Sequence, residues 1–177
     1  MPHSADAVAN FFLDRAAAEH IPLTPMHIQK LVYYAHAWHM AVDGESRPLI
    51  NEPIEAWQYG PVIRSLYREF KDRGNHPIET KAKELDWQTL DLIEPAIDAE
   101  SSSGLDAQLV KAVLDRVWEI YKGYSAIQLS DLSHSQGEPW REIWEKYNRQ
   151  IPRAVHIPNE LIRDCFRKKL NQPAQPV

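Results

Sequence analysis

The chain has 177 residues, of which 44% are hydrophobic and 25% are charged. This length suffices for one compact domain, and the composition is typical of globular proteins and excludes a disordered or fibrous chain. The formal net charge of −5 argues against nucleic-acid binding, because phosphate contacts require clustered lysine and arginine. We therefore expect a single domain over residues 1–177.

One cysteine, Cys165, is present, so the chain cannot form an intramolecular disulfide bond. A protein without disulfides fits a reducing compartment, which predicts a cytoplasmic location. Residues 1–6 contain no basic segment leading into an apolar core, and no run approaches the ~18 apolar residues of a membrane span. We expect a protein that is neither secreted nor anchored in a membrane.

Two helices are predicted at the start of the chain. An apolar repeat at helical spacing predicts the first helix over residues 5–19. Thr24 and Pro25 then supply an N-cap and a first helical residue, so a second helix is expected from Pro25 to about Val42.

The next segment is predicted to be extended. Residues 46–58 contain two prolines and short β-compatible pieces, so a small, edge-like hairpin is expected there. Gly60 and Pro61 are predicted to turn the chain, with Pro61 as the first residue of a third helix that runs to Gly74.

Acidic residues are concentrated in one segment. Between Glu79 and Asp106, eight acidic residues stand against two lysines, so this stretch is more negative than the whole chain and the remainder is slightly positive. Its apolar residues are scattered, and it ends in a Ser-Ser-Ser-Gly run that is typical of a flexible connection. We expect an acidic insertion loop over residues 75–105 that carries a weak helix.

The C-terminal half is predicted to be helical. An apolar stripe predicts a helix over residues 106–122, and Ser125 opens a capping box that starts a short helix ending at His134. Two further helices are expected from Pro139 and over residues 159–170, followed by a frayed tail at 171–177. The predicted fold is mainly α, a compact bundle of about seven or eight helices with a short extended segment or hairpin between helices two and three.

The sequence offers no convincing catalytic or metal-binding set. His36 and His39 could share a helical face, but no third ligand has a recognisable spacing, so packed core histidines are favoured. Ser133 adjoins His134, yet a serine next to its own histidine cannot easily present its hydroxyl to that ring, which favours a helix-capping histidine. Cys165 is expected to be buried and inert. We expect no cofactor, no metal and no enzymatic activity.

Three ordered blocks carry a family resemblance. The first is Met26 to His39, with Lys30, Leu31 and Trp38, and the second is the Glu-Ala-Trp-Gln-Tyr-Gly-Pro-Val run, with Gly60 and Pro61. The third contains Ser133-His134 and Pro139-Trp140. Together they resemble the Panacea domain, the SocA-like antitoxin family with many phage-associated members, over nearly the whole chain. Ser133 and the His36-Ala37 pair depart from the commoner residues of that pattern.

The resemblance implies an antitoxin that neutralises a cognate protein toxin by direct binding. One family member looks like an adaptor that delivers its toxin to a Clp-type protease, so the sequence leaves open whether the toxin is blocked or degraded. A basic toxin would be attracted by the acidic stretch. The oligomeric state is not indicated.

Candidate binding residues follow from residue type, since aromatic residues and arginine carry most of the energy in protein interfaces. The candidate anchors are Trp57, Tyr59, Arg64, Trp140 and Arg141. The residues expected to maintain the structure are Lys30, Leu31, Trp38, Gly60, Pro61 and His134.

Two functions of other classes are less favoured. A small hydrolase would use His134 with Ser133, or a metal at His36 and His39, and is suggested only by the number of histidines. DNA binding would use the basic last helix, but positive residues near a helix C-terminus commonly interact with the helix dipole. The basic residues concerned are Arg163, Arg167, Lys168 and Lys169.

Overall fold

The computed structural model describes residues 2–97 and 104–171, which contain seven α-helices and two small antiparallel hairpins. The helices are α1 (Ala5–Glu19), α2 (Pro25–Val42), α3 (Arg64–Phe70), α4 (Gly104–Tyr121), α5 (Ala126–Ser133), α6 (Pro139–Lys146) and α7 (Asn159–Leu170). The strands are β1 (Ile54–Trp57), β2 (Gly60–Ile63), β3 (Glu84–Leu85) and β4 (Leu92–Ile93). A mainly α fold with a short hairpin between the second and third helices is thus confirmed.

Helix α2 lies at the centre of the fold, where it packs against α1, α3, α4, α5, α7 and β2. Leu31 is 1% exposed, and the ring of Tyr34 stacks on that of Tyr121 from α4 at 4.5 Å. Trp38 meets Phe166 of α7 edge to face at 4.8 Å and donates its indole N–H to the hydroxyl of Tyr121 at 3.0 Å. Aromatic contacts therefore join the central helix to α4 and α7.

The first hairpin corrects one prediction. Pro61 was expected to start the third helix, but it lies in β2, and α3 begins only at Arg64. Strands β1 and β2 pair from Trp57 with Gly60 onwards, and Gly60 adopts a φ of +109° that closes the turn. Because a glycine accepts this conformation without strain, the chain reverses direction here and continues as a strand.

The other edge of β1 is covered by the chain segment that precedes α7. The amide of Ala56 donates to the carbonyl oxygen of Val155, and the amide of Ile157 donates to that of Ile54, each at 2.8 Å. Strand β1 is consequently held on both sides, which fixes the hairpin against residues 155–157.

The described part of the acidic segment, residues 75–97, contains the hairpin β3–β4 in place of the predicted weak helix. Asn10 of α1 is 2% exposed and donates to the carbonyl oxygens of Ala82 at 3.1 Å and Pro95 at 2.9 Å. It also accepts from the amide of Ala82 at 2.8 Å. These bonds satisfy an extended backbone, which explains why no helix forms there.

The C-terminal helices lie where they were predicted. Ser125 and Gln128 form the expected capping box, in which the serine hydroxyl accepts from the Gln128 amide at 3.2 Å and the Gln128 side chain accepts from the Ser125 amide at 2.8 Å. The predicted frayed tail lies outside the described residues beyond Asn171. No helix in the described ranges is long and apolar enough to cross a membrane.

Candidate partner-binding site

The β1–β2 hairpin presents aromatic and basic side chains to solvent. Tyr59 at its tip is 75% exposed, and the half-buried ring of Trp57 contacts the ring of Tyr67 from α3 at 4.9 Å. The guanidinium of Arg64 lies 5.8 Å from the centroid of Trp57. We call Trp57, Tyr59, Arg64 and Tyr67 the hairpin surface. Three of the five predicted anchors therefore come together, and Tyr67 joins them.

A buried carboxylate fixes two members of this surface. Glu55 is 4% exposed and accepts from Nε1 of Trp57 at 2.8 Å, from Nε of Arg64 at 2.8 Å and from Nη2 of Arg64 at 2.7 Å. The bonds from Arg64, supported by that from Trp57, lower the pKa of Glu55, so its charge persists at neutral pH. Trp57 and Arg64 are thus oriented before a partner arrives, which lowers the ordering cost of binding.

Trp140 lies beneath the hairpin. It is 4% exposed, and its indole N–H donates to the carbonyl oxygen of Trp57 at 2.7 Å. Its ring stacks on Trp144 at 5.0 Å and meets His134 edge to face at 4.2 Å. Trp140 therefore supports the surface from inside and presents almost no area to a partner. Arg141 lies on α6, where it pairs with Glu145 at 2.9 Å.

Several of the predicted structural residues converge on Gly60 from below. Lys30 of α2 is 2% exposed and donates from Nζ to the carbonyl oxygen of Pro61 at 3.3 Å. A Cβ atom at Gly60 would lie 2.5 Å from that Nζ, 3.1 Å from Oγ of Ser133 and 3.2 Å from Nε2 of His134. Burial lowers the pKa of Lys30 to about 7. The hairpin thus rests on a crowded polar cluster that leaves no room for a side chain at Gly60.

His134 is the C-cap residue of α5, as predicted. Its Nδ1 donates to the carbonyl oxygen of Ser130 at 2.6 Å, and Oγ of Ser133 donates to the same oxygen at 2.7 Å. Burial, reinforced by the nearby ammonium of Lys30, lowers the pKa of His134. Because the Ser133 hydroxyl is fully buried and bonded to main chain, it is not presented as a nucleophile.

The other histidine pair is part of the core, as predicted. His36 is fully buried, its Nε2 donates to Oδ1 of Asn159 at 3.1 Å, and burial lowers its pKa to about 4. Nδ1 of His39 donates to the carbonyl oxygen of Arg47 at 3.1 Å. Across the described ranges, no group of three or more His, Cys, Asp or Glu side chains is placed to hold a metal ion. Cys165 is buried, which raises the pKa of its thiol to about 11.

The basic residues of α7 are largely engaged within the protein. Arg163 pairs with Asp164, Arg167 donates to the carbonyl oxygen of Ala41, and Lys169 pairs with Glu138. Arg167 and Lys169 therefore link α7 to α2 and to Glu138 at the start of α6.

Sequence reasoning missed Glu55 and Tyr67. Glu55 precedes Trp57 by two residues in a strand, and this spacing places both side chains on one face, so their contact was open to prediction. The helical spacing of Tyr67 with Ile63, Leu66 and Phe70 predicts a position in the apolar stripe of the third helix, whereas Tyr67 is 45% exposed. No local signal distinguishes it from a core tyrosine.

Comparison with known proteins assigns the family. The family model described as "Antitoxin SocA-like, Panacea domain" matches residues 28–141, which include the hairpin surface and the cluster below it. The chain belongs to the SocA-like antitoxin family. Antitoxin SocA of Caulobacter vibrioides (strain NA1000 / CB15N) is 34% identical over 170 residues, which cover 94% of this chain and 85% of that protein. No solved structure matches the chain.

Proposed function

We propose that this protein is an antitoxin that neutralises a cognate toxin by binding it directly through the hairpin surface. The observation that carries the proposal is the oriented Trp57–Arg64 pair beside the exposed Tyr59, in a member of the SocA-like antitoxin family. Tryptophan, tyrosine and arginine are the residues that most often anchor protein interfaces. Both partners would act in the cytoplasm.

Binding alone is sufficient for this function. A hydrolase would need a nucleophile within reach of its base and of substrate, whereas Ser133 is buried and bonded to Ser130. The relative in Caulobacter vibrioides is named as an antitoxin, which supports a binding protein without enzymatic activity.

The test is co-expression with the product of the adjacent gene in a host that this product inhibits. We expect growth to be restored and the two proteins to co-purify as a complex. Restored growth without any complex would contradict neutralisation by binding, and a neighbour that is harmless and never co-purifies would contradict the toxin–antitoxin pairing.

Delivery of the toxin to a Clp-type protease is the alternative outcome. It predicts that the toxin's half-life shortens when this protein is present and recovers in a protease-deficient host. Blocking of the toxin predicts equal half-lives in both hosts, because the toxin is occluded and not degraded.

A further inference from the structure

A groove runs beside the hairpin surface. It has a volume of about 380 Å³, and Trp57 and Arg64 form one wall while residues 151–154 form the other. A second cleft of about 230 Å³ shares Gln58 and Ile151 with it and adds Trp144 and Arg149. The two clefts are therefore neighbours and extend the hairpin surface towards the loop that follows α6.

Arginines dominate the charge of this groove. Arg153 lines the larger cleft and Arg149 the smaller one, and no acidic side chain lines either cleft. Arg64 is compensated by Glu55, whereas Arg149 and Arg153 are exposed and form no ion pair within the described residues. The groove consequently carries two uncompensated positive charges beside an aromatic wall, although the whole chain is negatively charged.

The wall opposite the hairpin is held at both ends. The amide of Arg149 donates to the carbonyl oxygen of Trp144 at 2.8 Å, and the amide of Gln150 donates to the carbonyl oxygen of Tyr147 at 3.0 Å. At the other end, Val155 accepts from the β1 amide of Ala56. Because main-chain bonds fix both ends, the groove exists before any partner binds.

We infer that this groove receives an acidic, extended segment of the toxin, with carboxylates paired to Arg149 and Arg153 and an apolar side chain against Trp57. The inference rests on the proposed function and names the chemistry of the contact. Guanidinium groups bind carboxylates through paired hydrogen bonds. Glu55 already shows such recognition at this wall, where one carboxylate accepts from both an indole and a guanidinium.

A protein segment fits the groove better than a nucleic acid does. Two uncompensated arginines neutralise few phosphates, and the net charge of −5 repels a polyanion as it approaches. A short peptide needs only two or three carboxylates at the right spacing. The toxin needs to be acidic only in the segment that enters the groove. The rest of the toxin can be basic and can be attracted by the acidic residues 79–97 of this chain.

The first arm of the test selects binders from a displayed library of random peptides of about 12 residues, which reach about 40 Å when extended. Full-length protein serves as the target. We expect the selected peptides to be enriched in Asp and Glu. Selection without acidic enrichment overturns the inference.

The second arm measures the affinity of the best peptide by fluorescence anisotropy. The double variant Arg149→Glu/Arg153→Glu should weaken binding by about tenfold or more, and Arg149→Gln/Arg153→Gln by a smaller factor. The control Arg116→Glu/Lys168→Glu makes the same charge change at exposed residues outside the groove and should alter binding by less than about twofold. Equal losses in both charge-reversed proteins overturn the inference, as does equally tight binding of a single-stranded oligothymidylate.

The third arm separates this inference from the proposed function. If wild type rescues growth and the Arg149→Glu/Arg153→Glu variant rescues it equally well with unchanged affinity for the toxin, the groove inference fails alone. If wild type itself does not rescue growth, the antitoxin function fails. Loss of rescue in the double variant, with an unchanged melting temperature, supports both.

Discussion

Nζ of Lys30 donates to the carbonyl oxygen of Pro61 at 3.3 Å and so ties the central helix to the second strand of the hairpin. Lys30 forms no ion pair with any described carboxylate, and burial is the cause that lowers its pKa from 10.5 to about 7. An almost fully buried ammonium without a counter-ion destabilises the folded state, because the protein does not replace the hydration that the charge loses on burial. The support of the hairpin is therefore sensitive to pH.

Stability should rise with pH above neutrality. The unfolded chain holds the Lys30 proton up to about pH 10.5 and the folded chain only up to about pH 7, so the free energy of unfolding increases between these values. The slope is at most about 1.4 kcal/mol per pH unit. Urea unfolding between about pH 7 and about pH 9 should show this rise in wild type and its loss in Lys30→Met. Lys83→Met, at an exposed position, is the control, and equal slopes in all three proteins would refute the pKa shift.

Gly60→Ala should destabilise the protein by about 2 kcal/mol or more, because the positive φ strains any side chain and the new Cβ would collide with Nζ of Lys30. The control matched in backbone conformation is Gly137→Ala, which has a φ of +82° and nothing within 4 Å of the added atom. Thermal unfolding of both variants measures the difference. Equal melting temperatures for the two would show that the cluster below the hairpin is not crowded.

Tyr59→Ala should weaken binding of the toxin by about tenfold or more and leave the melting temperature unchanged, because the side chain is exposed at the hairpin tip. Trp87→Ala removes a ring that is 81% exposed on the acidic segment and should leave affinity within about twofold of wild type. Calorimetric titration of the toxin into each protein makes the comparison. A larger loss for Trp87→Ala would move the binding site to the acidic segment.

His134→Ala should lower the free energy of unfolding by about 1–2 kcal/mol, because it removes the bond to Ser130 and the contact with Trp140. The exposed His76 provides the control in His76→Ala, which should be neutral. Growth rescue should decline only in proportion to the lost stability. Rescue abolished at an unchanged melting temperature would instead indicate a chemical role for His134.

Asn10→Ala should release the acidic segment from α1. Its three bonds satisfy main-chain groups of Ala82 and Pro95, so the loss costs about 1–3 kcal/mol and accelerates amide exchange at Ala82. Hydrogen exchange measured by NMR reports the change, with Asn75→Ala, at an exposed residue, as control. Unchanged protection at Ala82 would mean that the segment is held by other contacts.

The helices were predictable because their signals are local. Residues 5–19 and 25–42 were assigned from apolar spacing and from the Thr24–Pro25 start, and the observed helices have the same bounds. The capping box at Ser125 and the capping role of His134 also follow from neighbouring residues.

Features that depend on distant parts of the chain were not predictable. Proline is compatible with the first position of a helix and with an edge strand. The pairing of Pro61 with Ala56 of β1 places it in a strand. In the described part of the acidic segment, residues 75–97, the extended backbone is bonded to Asn10, which lies 72 residues from Ala82. Trp140 was a candidate binding anchor, yet it is buried, and its indole N–H bonds the carbonyl oxygen of Trp57, 83 residues away.

The bonds that hold the hairpin are separate from the side chains exposed at its tip. The carbonyl oxygen of Trp57 is bound from below by Trp140 and its indole N–H by Glu55, whereas the neighbouring tip residues Gln58 and Tyr59 are exposed. Side chains at the tip can therefore be exchanged without disturbing the bonds that hold the strand pair. A library that varies only Gln58, Tyr59, Arg149 and Arg153 would retain the scaffold and change what it recognises, which makes this hairpin a natural starting point for redirecting the protein to new targets.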